Sequence, residues 1–387
     1  MQIASKLPRV GTTIFTVMSQ LASEHQALNL GQGFPDFDGP QRLRDSLAQA
    51  MNSGRNQYAP MPGVPALRAQ IAAKVVALYG RRIDPDSEVT VTSGGTEALF
   101  AAIAAVVGHG DEAIVFDPCY DSYEPAIELN GGRAVHIALG RAGEPDSFDI
   151  DWQKVRAAIT PRTRLIIVNT PHNPCGAVLS AADLDELAAL TRDTGIFILS
   201  DEVYEHIVFD GAAHQSLSRH PELAARSFIV SSFGKTYHCT GWKIGYCIAP
   251  PALMAEFRKV HQFLTFSSFA PAQFALADLL EHEPQHHLEL PQFYQARRDR
   301  FRALLATSRL RLLPVAGAYF QLADYRAIAP DQDDVGFCRW LVQDVGVAAI
   351  PLSVFYAEAP PQQRLIRFCF AKSDTILEQA AARLCRL

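Results

Sequence analysis

Two lysines, Lys235 and Lys243, lie eight residues apart between two apolar segments that are typical of buried strands. A lysine amine forms a Schiff base with an aldehyde when a dry or cationic environment lowers its pKa. The second cation would then bind an anionic group of the same ligand. The alternative is a solvated turn, because lysine is almost never fully buried without a partner. The spacing therefore predicts a ligand with an aldehyde and an anionic group only if other parts of the chain supply further residues that bind this ligand.

Composition limits the class of protein. The 387 residues are enough for two domains, or for one large domain with an appendage. A net charge of -6 argues against a nucleic-acid or anionic-membrane surface. The first twenty residues lack the apolar core of a signal peptide, and no later segment is apolar over the length of a membrane span. Seven cysteines without a C-x-x-C pair indicate reduced thiols. We therefore expect a cytoplasmic protein.

A glycine turn near residue 95 is the first candidate anion site. Residues 88–92 are typical of a strand, and the sequence Ser93-Gly94-Gly95-Thr96-Glu97 leads from it into a helix predicted over residues 98–107. Unpaired N–H groups and the helix dipole both favour an anion at such a position. Gly95 and Thr96 are therefore candidate phosphate ligands. The commoner use of a residue such as Thr96 is a plain N-cap.

Further strand–helix units follow this turn, and their strands are short and continuously apolar. The pattern predicts an α/β fold in which a mostly parallel sheet is covered by helices on both faces, a three-layer α/β/α arrangement. In such sheets ligands bind at the carboxyl ends of the strands. The polar clusters follow the predicted strands at these ends, and they are Gly95 and Thr96, Tyr120, Asn173, Asp201 and Tyr204, and Ser232 and Lys235.

The character of the sequence changes near residue 280. A long charged helix is predicted over residues 291–308, and shorter elements follow it. We therefore predict a large ligand-binding domain over residues 38–280. Residues 1–37 and 281–387 are predicted to form a smaller α+β domain.

Two motifs match known sites only superficially. His282 and His286 have the H-E-x-x-H spacing of a zinc site, but Pro284 would break the helix that must place both on one face. Gly234-Lys235-Thr236 resembles the end of a nucleotide-binding P-loop, yet Ile229 stands where that loop requires glycine. We expect neither a metal site nor a P-loop.

Considered together, the strand-end residues match the needs of pyridoxal 5′-phosphate: a lysine, a carboxylate, an aromatic ring, an amide, a phenol and a phosphate site. In the order and spacing of four motifs, the chain resembles the class I pyridoxal-phosphate-dependent aminotransferases of fold type I. Within this class it resembles the group of kynurenine–glutamine and methionine transaminases. The motifs are Asn173-Pro174-Cys175-Gly176, Ser200-Asp201-Glu202-Val203-Tyr204, Ser232 to Lys243, and Arg367-Phe368-Cys369-Phe370.

This resemblance implies roles for the residues that contact the cofactor ring. Lys235 would form the Schiff base and then move the proton of the substrate. Asp201 would pair with the pyridinium nitrogen, so that the ring can absorb negative charge. Asn173 and Tyr204 would hydrogen-bond the phenolic oxygen of the ring, and Tyr120 would stack on it. The implied catalytic residues are Lys235, Asp201 and Tyr204.

The resemblance also implies ligands for the phosphate and for the substrate. Arg367 would bind the substrate α-carboxylate, with help from Asn173 and the backbone of Gly33. Phe15 would lie near the entrance. Tyr58 would reach the phosphate of a neighbouring subunit, which implies a homodimer with active sites shared across the interface. The residues expected to bind the phosphate within the subunit are Gly95, Thr96, Ser232 and Lys243.

The implied reaction is transamination of an apolar or aromatic L-amino acid to its 2-oxo acid. Residues near the entrance suggest a large apolar pocket, and methionine is the favoured substrate. Phenylalanine, histidine, kynurenine and glutamine are alternatives. A cysteine-S-conjugate β-lyase on the same site and a non-catalytic protein that binds pyridoxal phosphate also remain open. The entrance residues are Phe15, Phe34, Tyr58, Tyr120 and Phe355.

Overall fold

The structure is a computed structural model that describes residues 4–140 and 146–387. Its α-helices are α1 (Ile14–Glu24), α2 (Gln41–Asn52), α3 (Pro65–Tyr79), α4 (Gly94–Val106), α5 (Tyr123–Leu129), α6 (Trp152–Ala158), α7 (Ala181–Thr191), α8 (Pro221–Ala224), α9 (Phe233–Thr236), α10 (Pro251–Leu264), α11 (Ala270–His282), α12 (Gln285–Leu304), α13 (Asp334–Trp340) and α14 (Asp374–Leu384). Short 3₁₀ turns lie at Leu217–Arg219, Thr240–Trp242 and Ser353–Phe355, and a π-helical turn at Leu341–Val345.

The strands form three sheets within the described residues. They are β1 (Leu28–Asn29), β2 (Val89–Thr92), β3 (Glu112–Asp117), β4 (Arg133–Ala138), β5 (Thr163–Asn169), β6 (Phe197–Asp201), β7 (Ser227–Ser232), β8 (Gly245–Ile248), β9 (Arg311–Leu312), β10 (Phe320–Asp324), β11 (Val347–Ala348), β12 (Ile350–Pro351) and β13 (Leu365–Cys369). The central sheet has seven strands in the order β2-β8-β7-β6-β5-β3-β4. All its neighbouring pairs are parallel except those that involve β8. This arrangement confirms the predicted mostly parallel α/β sheet.

Helices cover both faces of the central sheet, because its strands are apolar on both faces. In β3, Ala113 and Val115 belong to one hydrophobic core, while Ile114 and Phe116 belong to another. Side chains of successive strand residues point to opposite faces, so this alternation explains why the strands are continuously apolar. Helices α4, α5 and α10 contribute to the first core, and α2, α3, α7 and α11 to the second.

A smaller antiparallel sheet, in the order β12-β13-β10-β9, lies in the C-terminal part of the chain. Strand β1 pairs in parallel with β11, so the segment that precedes α2 is joined to the C-terminal part. A third hydrophobic core includes buried residues of these sheets and of α12. The division into residues 38–280 and residues 1–37 with 281–387 stays a prediction, and its residues 1–3 and 141–145 lie outside the described ones.

Two predicted helix bounds were wrong. Helix α12 begins at Gln285, before Pro291, and ends at Leu304. Proline removes one backbone hydrogen bond and crowds the preceding turn, so we expected the helix to begin there. Burial of Leu290, Tyr294 and Phe301 in the third core stabilises the helix on both sides of that proline.

Helix α4 begins at Gly94 rather than near residue 98, and its N-cap position is Ser93. Thr96 therefore lies inside the first turn, and the alternative in which it is the N-cap is wrong. The shift places the N–H groups of Gly94, Gly95 and Thr96 among the first four of the helix, which have no partner within it.

The two histidines of the apparent zinc motif lie in different helices. His282 ends α11 and His286 lies in α12, with Pro284 between them. Their rings pair with the backbone oxygens of Asp278 and Thr236, respectively. The helix is therefore interrupted between the two histidines, as Pro284 predicts.

Across the described ranges 4–140 and 146–387, none of the helices combines the length and the apolar character that a bilayer crossing requires.

Candidate active site

A cavity of about 190 Å³ lies at the carboxyl ends of β3, β5, β6 and β7, beside the N-terminus of α4. Because parallel strands end at the same edge of a sheet, residues far apart in sequence meet there. The predicted site residues that line it are Gly95, Thr96, Tyr120, Asn173, Asp201, Tyr204, Ser232, Lys235 and Lys243. Further lining residues are Gly94, Leu99, Asn169, Val203, Gly234 and Thr240.

Lys235 lies in the short helix α9, which follows β7 directly. Its Nζ donates a hydrogen bond of 2.9 Å to the backbone oxygen of Gly33. Burial lowers the pKa of Lys235 to about 8, and the positive charges of Arg367 and Lys243 act in the same direction. A lysine in this state has a sizeable neutral fraction near physiological pH, so it is suited to attack an aldehyde.

Asp201 is the last residue of β6 and is only 3% exposed. Its Oδ2 accepts a hydrogen bond of 2.6 Å from the hydroxyl of Tyr123, and its Oδ1 accepts one of 3.3 Å from the N–H of Val203. Burial nevertheless raises the pKa of Asp201 to about 6. A protonated ring nitrogen in the cavity would compensate this carboxylate.

The burial of Asp201 has a measurable consequence for stability. Its pKa of about 6 in the folded chain lies above the ordinary aspartate value of 3.8, so the folded chain binds the proton more tightly than the unfolded chain. The bound proton therefore contributes to the free energy of unfolding. This contribution is fully present below about pH 4 and is lost as the pH rises through about 6. We expect Asp201→Asn to stabilise the cofactor-free protein at pH 8 by about 2 to 3 kcal/mol, because asparagine carries no charge to bury.

Urea unfolding of the cofactor-free wild type and of Asp201→Asn between pH 4.5 and 8 checks this expectation. The advantage of the variant should grow with pH. A gain that is constant across the range, or a loss at pH 8, would contradict the assignment of Asp201 as an uncompensated buried carboxylate.

Three residues that support the site were not identified from the sequence. Tyr123, in the first turn of α5, holds Asp201 as described above. Asn169 accepts a hydrogen bond of 2.8 Å from the N–H of Asn173 and donates one of 2.8 Å to the backbone oxygen of Asp201. The hydroxyl of Tyr319 donates a hydrogen bond of 2.7 Å to the oxygen of Gly33. Only Asn169 carried a local signal, because it is a polar residue at a strand end.

The N-terminus of α4 and the side chain of Lys243 form an anion cradle. Gly94 has a φ of 76°, and a Cβ there would lie 3.1 Å from Cε and Nζ of Lys243. A Cβ on Gly95 would lie 3.0 Å from a methyl carbon of Val203. A side chain at either position would therefore crowd the cradle. Gly94, Gly95, Thr96 and Lys243 line the same cavity, so the ammonium and the N–H groups of the first helical turn lie near one another, as a phosphate requires.

Arg367, in the middle of β13, is 1% exposed. Its Nη1 donates a hydrogen bond of 2.7 Å to Oδ1 of Asn173, and its Nη2 donates one of 3.0 Å to the oxygen of Gly31. Its Nε is buried without a hydrogen-bond partner, and no carboxylate of the described residues forms an ion pair with the guanidinium. Burial lowers the pKa of Arg367 to about 10. A buried cation in this state is a site for an anion.

The remaining predicted residues lie beside the cavity or away from it. Gly33 contacts Lys235 through its oxygen, as described above, and the ring centroid of Phe15 lies 5.4 Å from Cζ of Arg367. Tyr58 is 83% exposed and its ring contacts Phe266. The reach of Tyr58 into a neighbouring subunit stays a prediction.

The arrangement as a whole fits a ligand with an aldehyde, a basic ring nitrogen and a phosphate. Lys235 is the amine, Asp201 is the carboxylate for the nitrogen, and the cradle of Gly94, Gly95 and Lys243 suits the phosphate. Arg367 remains available for a second anion, such as the carboxylate of a substrate.

Comparisons with known proteins agree over nearly the whole length of the chain. A family model described as aminotransferase class I and II matches residues 25–384. The chain is 56% identical to a protein named methionine aminotransferase from Escherichia coli, over 99% of this chain and 98% of that protein. It is 34% identical to kynurenine–oxoglutarate transaminase 1 from mouse, over 99% of this chain and 97% of the mouse protein.

Solved structures give the same picture. The crystal structure of an Escherichia coli protein, described as identifying a methionine aminotransferase function, has a TM-score of 0.96 at 56% identity and full coverage of both chains. The structure of N-succinyldiaminopimelate aminotransferase from Mycobacterium tuberculosis has a TM-score of 0.95 at 41% identity, also with full coverage of both chains.

Proposed function

The chain belongs to the class I and II aminotransferases, and we propose that it uses pyridoxal 5′-phosphate to transfer the α-amino group of methionine to a 2-oxo acid. The prediction of an aminotransferase with the fold of this class is confirmed. The relatives described above are named aminotransferases or transaminases, which favours amino transfer over β-elimination and over a non-catalytic role. The observation that carries the proposal is the convergence of Lys235, Asp201 and the anion cradle in one cavity.

The cofactor, when bound, supplies an electron sink for the negative charge that develops at Cα of the amino acid. Asp201 would hold the proton on the ring nitrogen, and its Tyr123 hydrogen bond would fix the orientation of the carboxylate. Asn173 and Tyr204 would donate hydrogen bonds to the phenolic oxygen, and Tyr120 would pack against the ring. The phosphate would be bound by Gly95, Thr96, Ser232 and Lys243.

Lys235 would first hold the cofactor through its amine and then, when the amino acid displaces it, act as general base. Its pKa of about 8 would suit the freed amine to take the proton from Cα of the amino acid and, once protonated, to donate that proton again within the cavity. Proton transfer by a positioned side chain needs no solvent water. Tyr204 is buried beside Lys235, and its ring would help to exclude water from the amine.

Arg367 would orient the amino acid by pairing with its α-carboxylate. The guanidinium is already held by Asn173 and Gly31, so little side-chain entropy is lost when a substrate binds. Its buried Nε–H has no acceptor among the described residues, so it would be available for that carboxylate together with an adjacent N–H. Fixing the carboxylate and the amino group at two points places the Cα–H bond in reach of Lys235.

Methionine is proposed because the side-chain pocket is aromatic and because of the 56% identity to a protein named methionine aminotransferase. The rings of Phe15 and Phe355 pack edge to face with centroids 5.7 Å apart, next to Arg367. A thioether gains about 0.3–1.5 kcal/mol from a contact with an aromatic ring, and its flexible chain adapts to such a pocket.

The proposal includes a homodimer and a cytoplasmic location. Aromatic residues are exposed on one segment near Tyr58, and Phe263 is 90% exposed. A second copy of the chain that covers this surface would bring Tyr58 towards the partner's site. The other exposed apolar residues of this surface are Leu264, Phe266 and Phe269.

The proposed cytoplasmic location agrees with the state of the cysteines. All seven are free thiols, as expected for a reducing compartment.

Steady-state kinetics with a panel of amino donors tests the proposal. We expect the highest kcat/KM for methionine, lower values for phenylalanine, histidine, kynurenine and glutamine, and formation of the corresponding 2-oxo acid. A clearly better donor than methionine would overturn the substrate assignment. If pyruvate is released from a cysteine S-conjugate faster than amino groups are transferred, the result would favour the β-lyase.

A further inference from the structure

A second cavity, of about 440 Å³, is lined by two aromatic rings that contact Arg367. Tyr120 lines both this cavity and the one that contains Lys235. Phe15 and Phe355 also line the second cavity, and their ring centroids lie 5.4 and 5.1 Å from Cζ of Arg367. On the proposed function, an amino acid whose α-carboxylate is bound by Arg367 extends its side chain into this second cavity.

Arg9, Asp121, Glu124 and His136 also line the second cavity, and we call this group its charged wall. Arg9, from the N-terminal segment, forms an ion pair of 2.8 Å with Glu124 and another with Glu128. His136, from β4, places its Nδ1 2.8 Å from Oδ1 of Asp117, and its Nε2 lies 3.7 Å from Oε1 of Glu124. Arg9, and His136 when it is protonated, are therefore already matched by carboxylates of the protein.

Asp121 lies on the same wall, in the turn between β3 and α5, and it is exposed to solvent, which places it at the rim of the cavity. Within residues 4–140 and 146–387 it has no ion-pair partner. Desolvation raises the pKa of Asp121, while the charge of Arg367 acts in the opposite direction. Asp121 is therefore near enough to Arg367 for the two charges to interact, and it borders the cavity that a substrate side chain would occupy.

We propose that Asp121 makes the second cavity a charge filter, which admits neutral or cationic side chains and disfavours acidic ones in both the amino donor and the 2-oxo acid acceptor. The second carboxylate of a dicarboxylic substrate would meet Asp121, and Arg9 is already paired on this wall. The expected discrimination is modest, because the rim is open to solvent and its effective dielectric constant is high.

Two unreactive ligands of equal chain length isolate the effect of charge. Pentanoate and glutarate both have five carbons and one carboxylate for Arg367, but glutarate carries a second carboxylate at the other end. Their dissociation constants on the cofactor-loaded enzyme can be measured by calorimetry, without turnover. We expect Asp121→Asn to shift the ratio of the two constants in favour of glutarate by about threefold to tenfold.

The matched control is Asp193→Asn, which removes the same charge from an exposed turn that lines neither of these cavities. It should leave the pentanoate-to-glutarate ratio unchanged. In the wild type, raising the ionic strength should also shift the ratio towards glutarate, because salt screens the exposed carboxylate.

Kinetic measurements give the second readout. Asp121→Asn should raise kcat/KM for glutamate, lower it for ornithine by a similar factor, and leave methionine within about twofold. Equal changes for all three donors, or a pentanoate-to-glutarate ratio that neither Asp121→Asn nor salt alters, would overturn the filter. A shifted ratio in a protein that transaminates nothing would instead leave the filter standing and refute the proposed function.

Discussion

Replacing Lys235 by alanine is expected to lower the rate of transamination by at least about 10⁴-fold, because one amine supplies both covalent attachment of the cofactor and general-base catalysis. The anion cradle and Asp201 remain in this variant, so the cofactor should still bind, but without a covalent link. Borohydride reduction of the loaded protein, followed by mass spectrometry of peptides, detects the link directly. In the wild type the added mass should lie on the peptide that contains Lys235.

The matched control is Lys243→Ala, the other lysine of the same segment. It should retain the covalent link and lose affinity for the cofactor, because Lys243 contributes a charge to the cradle. A reduced adduct in Lys235→Ala at wild-type yield, or its loss in Lys243→Ala at saturating cofactor, would show that the roles of the two lysines are wrongly divided.

The second large effect is expected for Arg367→Ala. Loss of a charge-assisted carboxylate contact in a buried site should raise KM about 100-fold for every amino donor, whatever its side chain. The absorption band of the bound cofactor should persist, since Lys235, Asp201 and the anion cradle, which would hold the cofactor, are unchanged in this variant. Steady-state kinetics and spectra of the loaded variant measure both quantities.

Arg367→Lys serves as the graded control, because lysine keeps the charge and loses the two-pronged geometry. Its KM should lie between those of the wild type and Arg367→Ala. A KM that rises for methionine alone would place Arg367 in the side-chain pocket, and loss of the cofactor spectrum would place it in the cofactor site.

The type of fold and the location of the site follow from local features of the sequence. Strands that are apolar on both faces, as β3 is, require helices on both sides, and parallel strands carry their polar end residues to one edge. That edge brings Asn173, Asp201 and Lys235 to one cavity, although they come from different parts of the chain. The roles of these residues in catalysis remain predictions that the experiments above address.

Features that depend on contacts between distant segments could not be predicted in this way. The hydroxyl of Tyr319 bonds to Gly33 across a separation of 286 residues, and no local pattern distinguishes this tyrosine from any other core aromatic. Tyr123 likewise begins an ordinary helix, and only the packing of α5 against the sheet brings it to Asp201. The bounds of α12 were wrong because packing of Leu290 and Tyr294 outweighs the local cost of Pro291.

Asp121 shows the same limit. In the sequence it is one acid among 41 Asp and Glu residues, and its position gives no reason to separate it from the others. The structure distinguishes it, because Glu124 is paired with Arg9 on the same wall, while Asp121 lines the same cavity and forms no ion pair with any of the described residues.

The most direct test is a single turnover with methionine and no acceptor. The cofactor-loaded enzyme is mixed with excess methionine, and the absorption of the cofactor and the 2-oxo acid product are measured together. We predict one 2-oxo acid per loaded subunit and conversion of the cofactor to its amine form, with neither change in Lys235→Ala. Release of ammonia with a cofactor that keeps its aldehyde, or an unchanged spectrum in the wild type, would contradict transamination of methionine by this protein.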